Sequence, residues 1–157
     1  MGLLGLNDLK LKLERYCAYQ ERSLFEVEKK LSILTDDDKK IALIISGLFS
    51  ENFLNQDRFV DSFIQGKMNQ KRWGKQKIRA GLIKHKVPGV LIDKKLSALS
   101  VDNYNKNLLA LAHKKAKTLP LDGKEFENTT KIMRYLYSKG YTSKDWEGLD
   151  FKSLFSS

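Results

Sequence analysis

The sequence is short of the residues that most often do chemistry. Its whole stock of thiol and imidazole is one cysteine, Cys17, and two histidines, His85 and His113. One thiol cannot close an intrachain disulfide, which suits a reducing compartment. One cysteine and two histidines cannot supply a zinc spacing. No GxxxxGK[ST] or GxGxxG segment occurs, and no motif brings serine, cysteine or carboxylates to either histidine. Asp36, Asp37 and Asp38 form an acidic cluster, but they stand where a helix begins and negative charge complements the dipole. No catalytic residue, metal or cofactor is expected, and an enzyme is disfavoured.

Proline is equally scarce, with only Pro88 and Pro120. Strand-type alternation is nowhere sustained. The longest near-apolar run is IALIISGLF, residues 41–49, far short of the ~20 residues of a membrane span. The opening MGLLGLNDLKLKL lacks the basic run and small-residue cleavage site of a secretory signal. The expectation is a soluble, cytoplasmic protein without a membrane partner, monomeric in the simplest case.

Helical spacing fills the space these absences leave. Leu24, Val27, Leu31 and Leu34 step by three and four, as do Ile132, Met133, Leu136 and Tyr137. Ser23 with Glu26 has capping-box spacing. Thr35 reads as a cap before the three aspartates. Pro88 suits a first turn, Gly140–Tyr141 a helix end, and Thr142 or Ser143 the cap of a last short helix. These marks predict nine helices, at about 5–20, 23–34, 36–50, 57–71, 74–86, 88–99, 102–118, 124–139 and 143–149. Short apolar helices recur at shifts of 51 and 54 residues. The predicted organisation is all-α, with three tandem three-helix repeats at 1–54, 55–100 and 101–157.

Charge is uneven over these repeats. Residues 1–58 hold nine Lys or Arg against ten Asp or Glu, whereas residues 59–93 hold eight against two. No carboxylate lies between Asp61 and Asp93. The centre of this region is KRWGKQKIRAGLIKHK, residues 71–86. On a helical wheel Gly74, Ile78, Leu82 and His85 share one seam, and Lys75, Lys77, Arg79, Lys84 and Lys86 occupy the remaining arc. Lys67, Lys71 and Arg72 extend that arc from the preceding helix. An ordinary exposed helix mixes charge signs, so a face without carboxylates points to a polyanion or an acidic partner. Trp73 at the helix junction reads as a packing anchor, His85 as a packed residue near a helix end, and Cys17 as a small core residue.

The run QDRFVDSFIQGKMNQKRWGKQKIRAGLIKHKVPGVLIDKKL, residues 56–96, resembles the signature of the RecX family, bacterial regulators of the RecA recombinase. Asp57, Arg58, Phe59 and Val60 match its first helix. Trp73 and Gly74 match its Trp-Gly turn, and Ile78, Arg79 and Leu82 its Ile-Arg-x-x-Leu segment. Val87, Leu91 and Ile92 follow in order. YCAYQERSLFEVEKKL, residues 16–31, and KIMRYLYSKGYTSKDWEGL, residues 131–149, are similar to the first and third repeats. Arg72 and Lys86 depart from the pattern, standing where the family has glycine, and Gly81 replaces a stronger helix former.

The resemblance implies three helix-turn-helix-like repeats forming an elongated curved array. It implies binding in the groove of the RecA–DNA filament and modulation, most often inhibition, of filament growth, ATP hydrolysis and strand exchange in recombination, repair and the SOS response. The implied partners are the RecA filament and single- or double-stranded DNA, mainly non-specifically. On that reading Lys67, Lys71, Arg72, Lys75, Lys77, Arg79, Lys84 and Lys86 make the contacts, while Trp73, Gly74, Ile78 and Leu82 support them. A direct double-stranded DNA binder of helix-turn-helix type is the alternative, and an acidic-protein scaffold a third.

Overall fold

The computed structural model describes residues 4–155. The first three residues of the N-terminal reading above therefore lie outside it. Among the described residues there are eight α-helices and no strand, in the order α1 Leu6–Tyr19, α2 Leu24–Leu34, α3 Asp38–Ser50, α4 Gln56–Lys71, α5 Lys75–Lys84, α6 Gly89–Ser97, α7 Val101–Ala116 and α8 Glu125–Ser138. The fold is all-α, as predicted, and the helix bounds fall within two residues of most expected ones. The exception is 143–149, which forms turns rather than a helix. Thr142 does not cap it. Its N–H and hydroxyl donate to Asp145 Oδ2, at 2.8 and 3.3 Å, and seven residues ending near Gly148 are too few to repay helix nucleation. A 3-10 helix, Phe151–Phe155, follows instead.

The caps explain the punctuation. At α2, Ser23 Oγ accepts the Glu26 N–H and Glu26 Oε1 accepts the Ser23 N–H, completing the capping box. The cap of α3 is Asp37, not Thr35: Asp37 Oδ1 accepts the N–H groups of Lys39 and Lys40. Thr35 is the last residue of the α2 end, and its hydroxyl accepts the Asp37 N–H. A two-residue shift of the cap follows from the carboxylate being the better acceptor for helix N–H groups.

Three helices end in one way. Backbone bonds Phe53 N–H to Leu48 O, Val87 N–H to Leu82 O and Tyr141 N–H to Leu136 O close α3, α5 and α8. The companion bonds run from Asn52, Lys86 and Gly140 to the carbonyls three residues earlier. Each is a Schellman cap, whose turning residue must be left-handed. The φ values are 64° at Asn52, 61° at Lys86 and 101° at Gly140, and Arg72 after α4 has 52°. Arg72 and Lys86, the two departures from the resembled pattern, thus hold side chains where glycine is least strained.

The chain packs as two compact units. One comprises residues 1–63 and 82–92, the other residues 64–81 and 93–157. In the first unit α1, α2 and α3 bury Leu9, Leu13, Cys17, Val27, Leu31, Ile44, Leu48 and Leu54 in one cluster. Each fully buried leucine contributes about 1.5–3 kcal/mol relative to an exposed one. Burial also pushes the Cys17 thiol above its ordinary range, so Cys17 is a core residue held protonated.

In the second unit α7 packs on α8 and on the 3-10 helix. The start of α5 is fixed by backbone contact. Gly74 N–H donates to Lys139 O at 2.7 Å and Gln76 N–H to Gly140 O at 3.1 Å. A Cβ on Gly74 would collide with the Gly140 carbonyl and lie 2.7 Å from Tyr141 N. A Cβ on Gly140 would lie 2.5 Å from Lys77 Cβ.

Two outcomes are expected in urea unfolding. Gly74→Ala loses about 3 kcal/mol, because backbone rather than a flexible side chain must give way. Lys86→Gly gains about 0.5–1 kcal/mol by relieving the left-handed strain. A Gly74→Ala variant as stable as the parent would refute the close-approach argument.

Candidate nucleic-acid and partner interface

In the second unit the turn Arg72-Trp73-Gly74 joins α4 to α5. Trp73 is half-buried, with Lys67 Nζ 4.7 Å and Lys77 Nζ 4.9 Å from its ring centroid. Two ammonium groups at one indole hold the side chains near the turn by cation–π attraction. Lys77 Nζ also donates to Ser138 O at 3.2 Å. Lys75 lies with Nζ 5.1 Å from the Tyr104 ring.

The expected arc of unengaged cations is only partly realised. Arg79 is paired: its Nη1 lies 2.6 Å from Asp93 Oδ1 on α6. Asp93 marks the far edge of the carboxylate-free sequence window, and folding returns it to the arc. Lys75, Lys77 and Arg79 are half-buried, whereas Lys71 and Arg72 are exposed. The pair is solvent-facing, so it contributes about 0–1 kcal/mol and can exchange for an external anion.

Lys84 and Lys86 belong to the first unit and are exposed. Lys86 Nζ stands 5.9 Å from the Phe25 ring. The seam residues Ile78 and Leu82 are fully buried and Gly74 is buried, as the helical wheel predicts. His85 packs against the rings of Phe59 and Phe63, with centroids 4.9 and 5.7 Å away. Its Nδ1 lies 2.9 Å from Ser23 Oγ and 3.7 Å from Glu26 Oε1. That trio has the residue types of a hydrolytic site. Yet Ser23 is 1% exposed and its oxygen is held in the α2 cap, so it fastens a helix end rather than attacking a substrate.

Tyr104, Tyr141 and Asp145 support the α5 start and were not picked out from sequence as its partners. Tyr104 Oη accepts the Lys75 N–H at 2.9 Å and donates to Asp145 Oδ2 at 3.3 Å. Tyr141 Oη donates to Arg72 O at 2.8 Å. The N–H groups of Gly74, Lys75 and Gln76 at the α5 start are therefore occupied by Tyr104 and the Gly140 turn. The Lys-Gly-Tyr turn was visible in the sequence; its distance of 66 residues from Gly74 hid the contact.

Residues 55–96 match the family model described as RecX, second three-helix domain. Over 117 residues the chain is 32% identical to the regulatory protein RecX of Clostridium botulinum (strain Alaska E43 / Type E3), covering 74% of this chain and 54% of that protein. The regulatory protein RecX of Clostridium tetani is 32% identical over 135 residues, covering 83% and 60%. The crystal structure of RecX from Lactobacillus salivarius superposes with a TM-score of 0.81 at 22% identity, over 95% of this chain and 93% of that one. A second crystal structure of regulatory protein RecX also gives 0.81, at 19% identity. The chain spans about half the length of the curated relatives it matches. Fold and sequence together define an all-α protein of the three-helix-repeat class. The chain belongs to the RecX family, whose matched relatives are regulatory proteins. Among the described residues no helix is long and apolar enough to cross a membrane.

Burial pushes both the Tyr104 and Tyr141 hydroxyls well above their ordinary value of 10. At Tyr104 the Lys75 N–H opposes the shift and the Asp145 carboxylate adds to it. At Tyr141 the neighbouring Tyr104 and Asp145 reinforce it and Arg72 opposes it. The unfolded chain therefore ionises these tyrosines first. Their contribution is fully present below about pH 10 and is lost as pH rises toward the folded values. Urea midpoints measured from pH 8 to 11 should fall above about pH 10, and less steeply for the Tyr104→Phe/Tyr141→Phe double variant. Equal steepness would contradict the assignment.

Proposed function

We propose that this protein regulates the RecA recombinase by binding the RecA–DNA filament and restraining its growth, ATP hydrolysis and strand exchange. One observation carries the reading: the segment matching the RecX model, 55–96, contains all eight candidate cations from Lys67 to Lys86. Several cations acting together attract a nucleoprotein polyanion, speed encounter and make binding salt-sensitive. A repeat chain can engage neighbouring filament subunits at once, and multivalent engagement obstructs subunit addition and strand access without any bond-making. The three repeats at 1–54, 55–100 and 101–157 are the units proposed to do so.

The alternative, a helix-turn-helix reader of double-stranded DNA, would lay the N-terminal residues of a recognition helix against base edges. In α5 those residues are Lys75, Gln76 and Lys77, and two of the three side chains are already engaged: the Lys75 ammonium with the Tyr104 ring, and the Lys77 ammonium with Ser138 O and the Trp73 ring. Base reading by this helix start is correspondingly disfavoured.

The test is titration of the protein against pre-formed RecA filaments, bare single-stranded DNA and RecA alone at two salt concentrations. Tight binding is expected only to filaments, weakening at the higher salt. Lys71→Gln/Lys75→Gln/Lys84→Gln should retain the fold and bind filaments about tenfold or more weakly. Undiminished inhibition of strand exchange by this variant would remove the cations from the mechanism.

A further inference from the structure

The regional charge count conceals a second basic site in the first unit. Residues 1–58 are close to neutral, yet a depression of about 380 Å³ between α1 and α2 is lined by Lys12, Arg15, Arg22 and Lys30, with no carboxylate. Tyr16, Tyr19 and Leu34 complete its wall. Lys12, Arg15, Tyr16 and Tyr19 fall at helical spacing on one face of α1, and Lys30 faces them from α2.

The geometry separates a fixed part from an open one. Arg22 is fixed: its Nε donates to Tyr16 O at 2.9 Å, its Nη1 lies 3.8 Å from Glu26 Oε2, and its Cζ sits 3.7 Å from the Tyr16 ring centroid. Lys30 Nζ is 5.5 Å from the same ring. Tyr16 is thereby covered, and burial pushes its hydroxyl above the ordinary range. Tyr19, at the end of α1, is 83% exposed with Arg22 Cζ 5.9 Å from its ring. An exposed aromatic costs solvation and gains nothing from the fold. Beside a guanidinium and three further cations it offers a flat face for a base, with phosphate partners around it. An acidic peptide would use the cations but leave the ring and Leu34 uncovered.

We propose that this depression binds an unpaired nucleotide of a single-stranded nucleic acid. The base stacks on Tyr19 beside Arg22, and the flanking phosphates take Lys12, Arg15 and Lys30. The site is independent of the filament reading, because it uses none of the cations between Lys67 and Lys86.

Lysine-acetylation footprinting of the full chain, read by mass spectrometry, reports on this pocket alone. Oligothymidylate should protect Lys12 and Lys30, with Lys39 on α3 as the internal reference. Tyr19→Ala removes an exposed ring and leaves the core untouched. It should lose that protection and raise the oligothymidylate concentration needed for it about 5- to 100-fold, whereas Tyr19→Phe retains both. Protection unchanged in Tyr19→Ala would overturn the proposal. So would equal protection by a duplex or by poly-glutamate at the same charge concentration, the latter assigning the pocket to an acidic protein partner.

Discussion

Gly74 and Gly140 touch backbone to backbone, and the arrangement of the second unit follows from that contact. It sets where α5 begins, because the Gly140 turn accepts from the first N–H groups of the helix. It thereby places Trp73 between Lys67 and Lys77, and Lys75 beside Tyr104. Tyr104 and Tyr141 then tie the same turn from the α7 and α8 sides, each through a hydroxyl whose partner is a backbone atom of the Arg72–Lys75 turn. A side chain at either glycine would separate two backbones. No alternative rotamer can relieve that, because the atoms in the way are main-chain atoms and the Lys77 Cβ, whose place the main chain fixes.

Electrostatics in this protein is a matter of which cations the fold has already engaged. Arg79 has Asp93 and Lys77 has a carbonyl and an indole, whereas Lys71 and Arg72 are exposed. Engaged cations are pre-positioned and lose less conformational freedom when a polyanion arrives, and exposed ones supply most of the long-range attraction. The proposed regulation by occupancy of a filament would require no more chemistry than this.

Much of the fold was legible because helices are coded locally. Capping residues, apolar spacing of three and four and the left-handed helix ends all lie within a few residues of the elements they define. The positions Arg72 and Lys86 were readable as departures before any coordinates, since the family resemblance placed glycine there; the left-handed backbone at both is what the structure adds. The last helix failed for a related reason. Thr142, Ser143 and Asp145 carry cap signals, but a segment of seven residues needs tertiary packing to stay helical, and Asp145 is held by Tyr104 and by the Thr142 N–H. The α3 cap shifted from Thr35 to Asp37 because three adjacent capping residues offer the backbone a choice that composition cannot resolve.

By itself the sequence determined the helical class, the positions of the turns, the buried seam Gly74–Ile78–Leu82 and the concentration of positive charge between Lys67 and Lys86. Tertiary structure decided what each charge and aromatic ring faces. Asp93 reaches Arg79 from 14 residues away, Gly140 meets Gly74 from 66, and Lys30 joins Lys12 and Arg15 around Tyr16 and Tyr19 although the surrounding sequence is nearly neutral. Periodicity reports which side of a helix is apolar, because burial acts on every turn alike. It carries no record of which turn of which other helix will lie opposite, and a pairing over Coulomb or hydrogen-bond distances is settled only there.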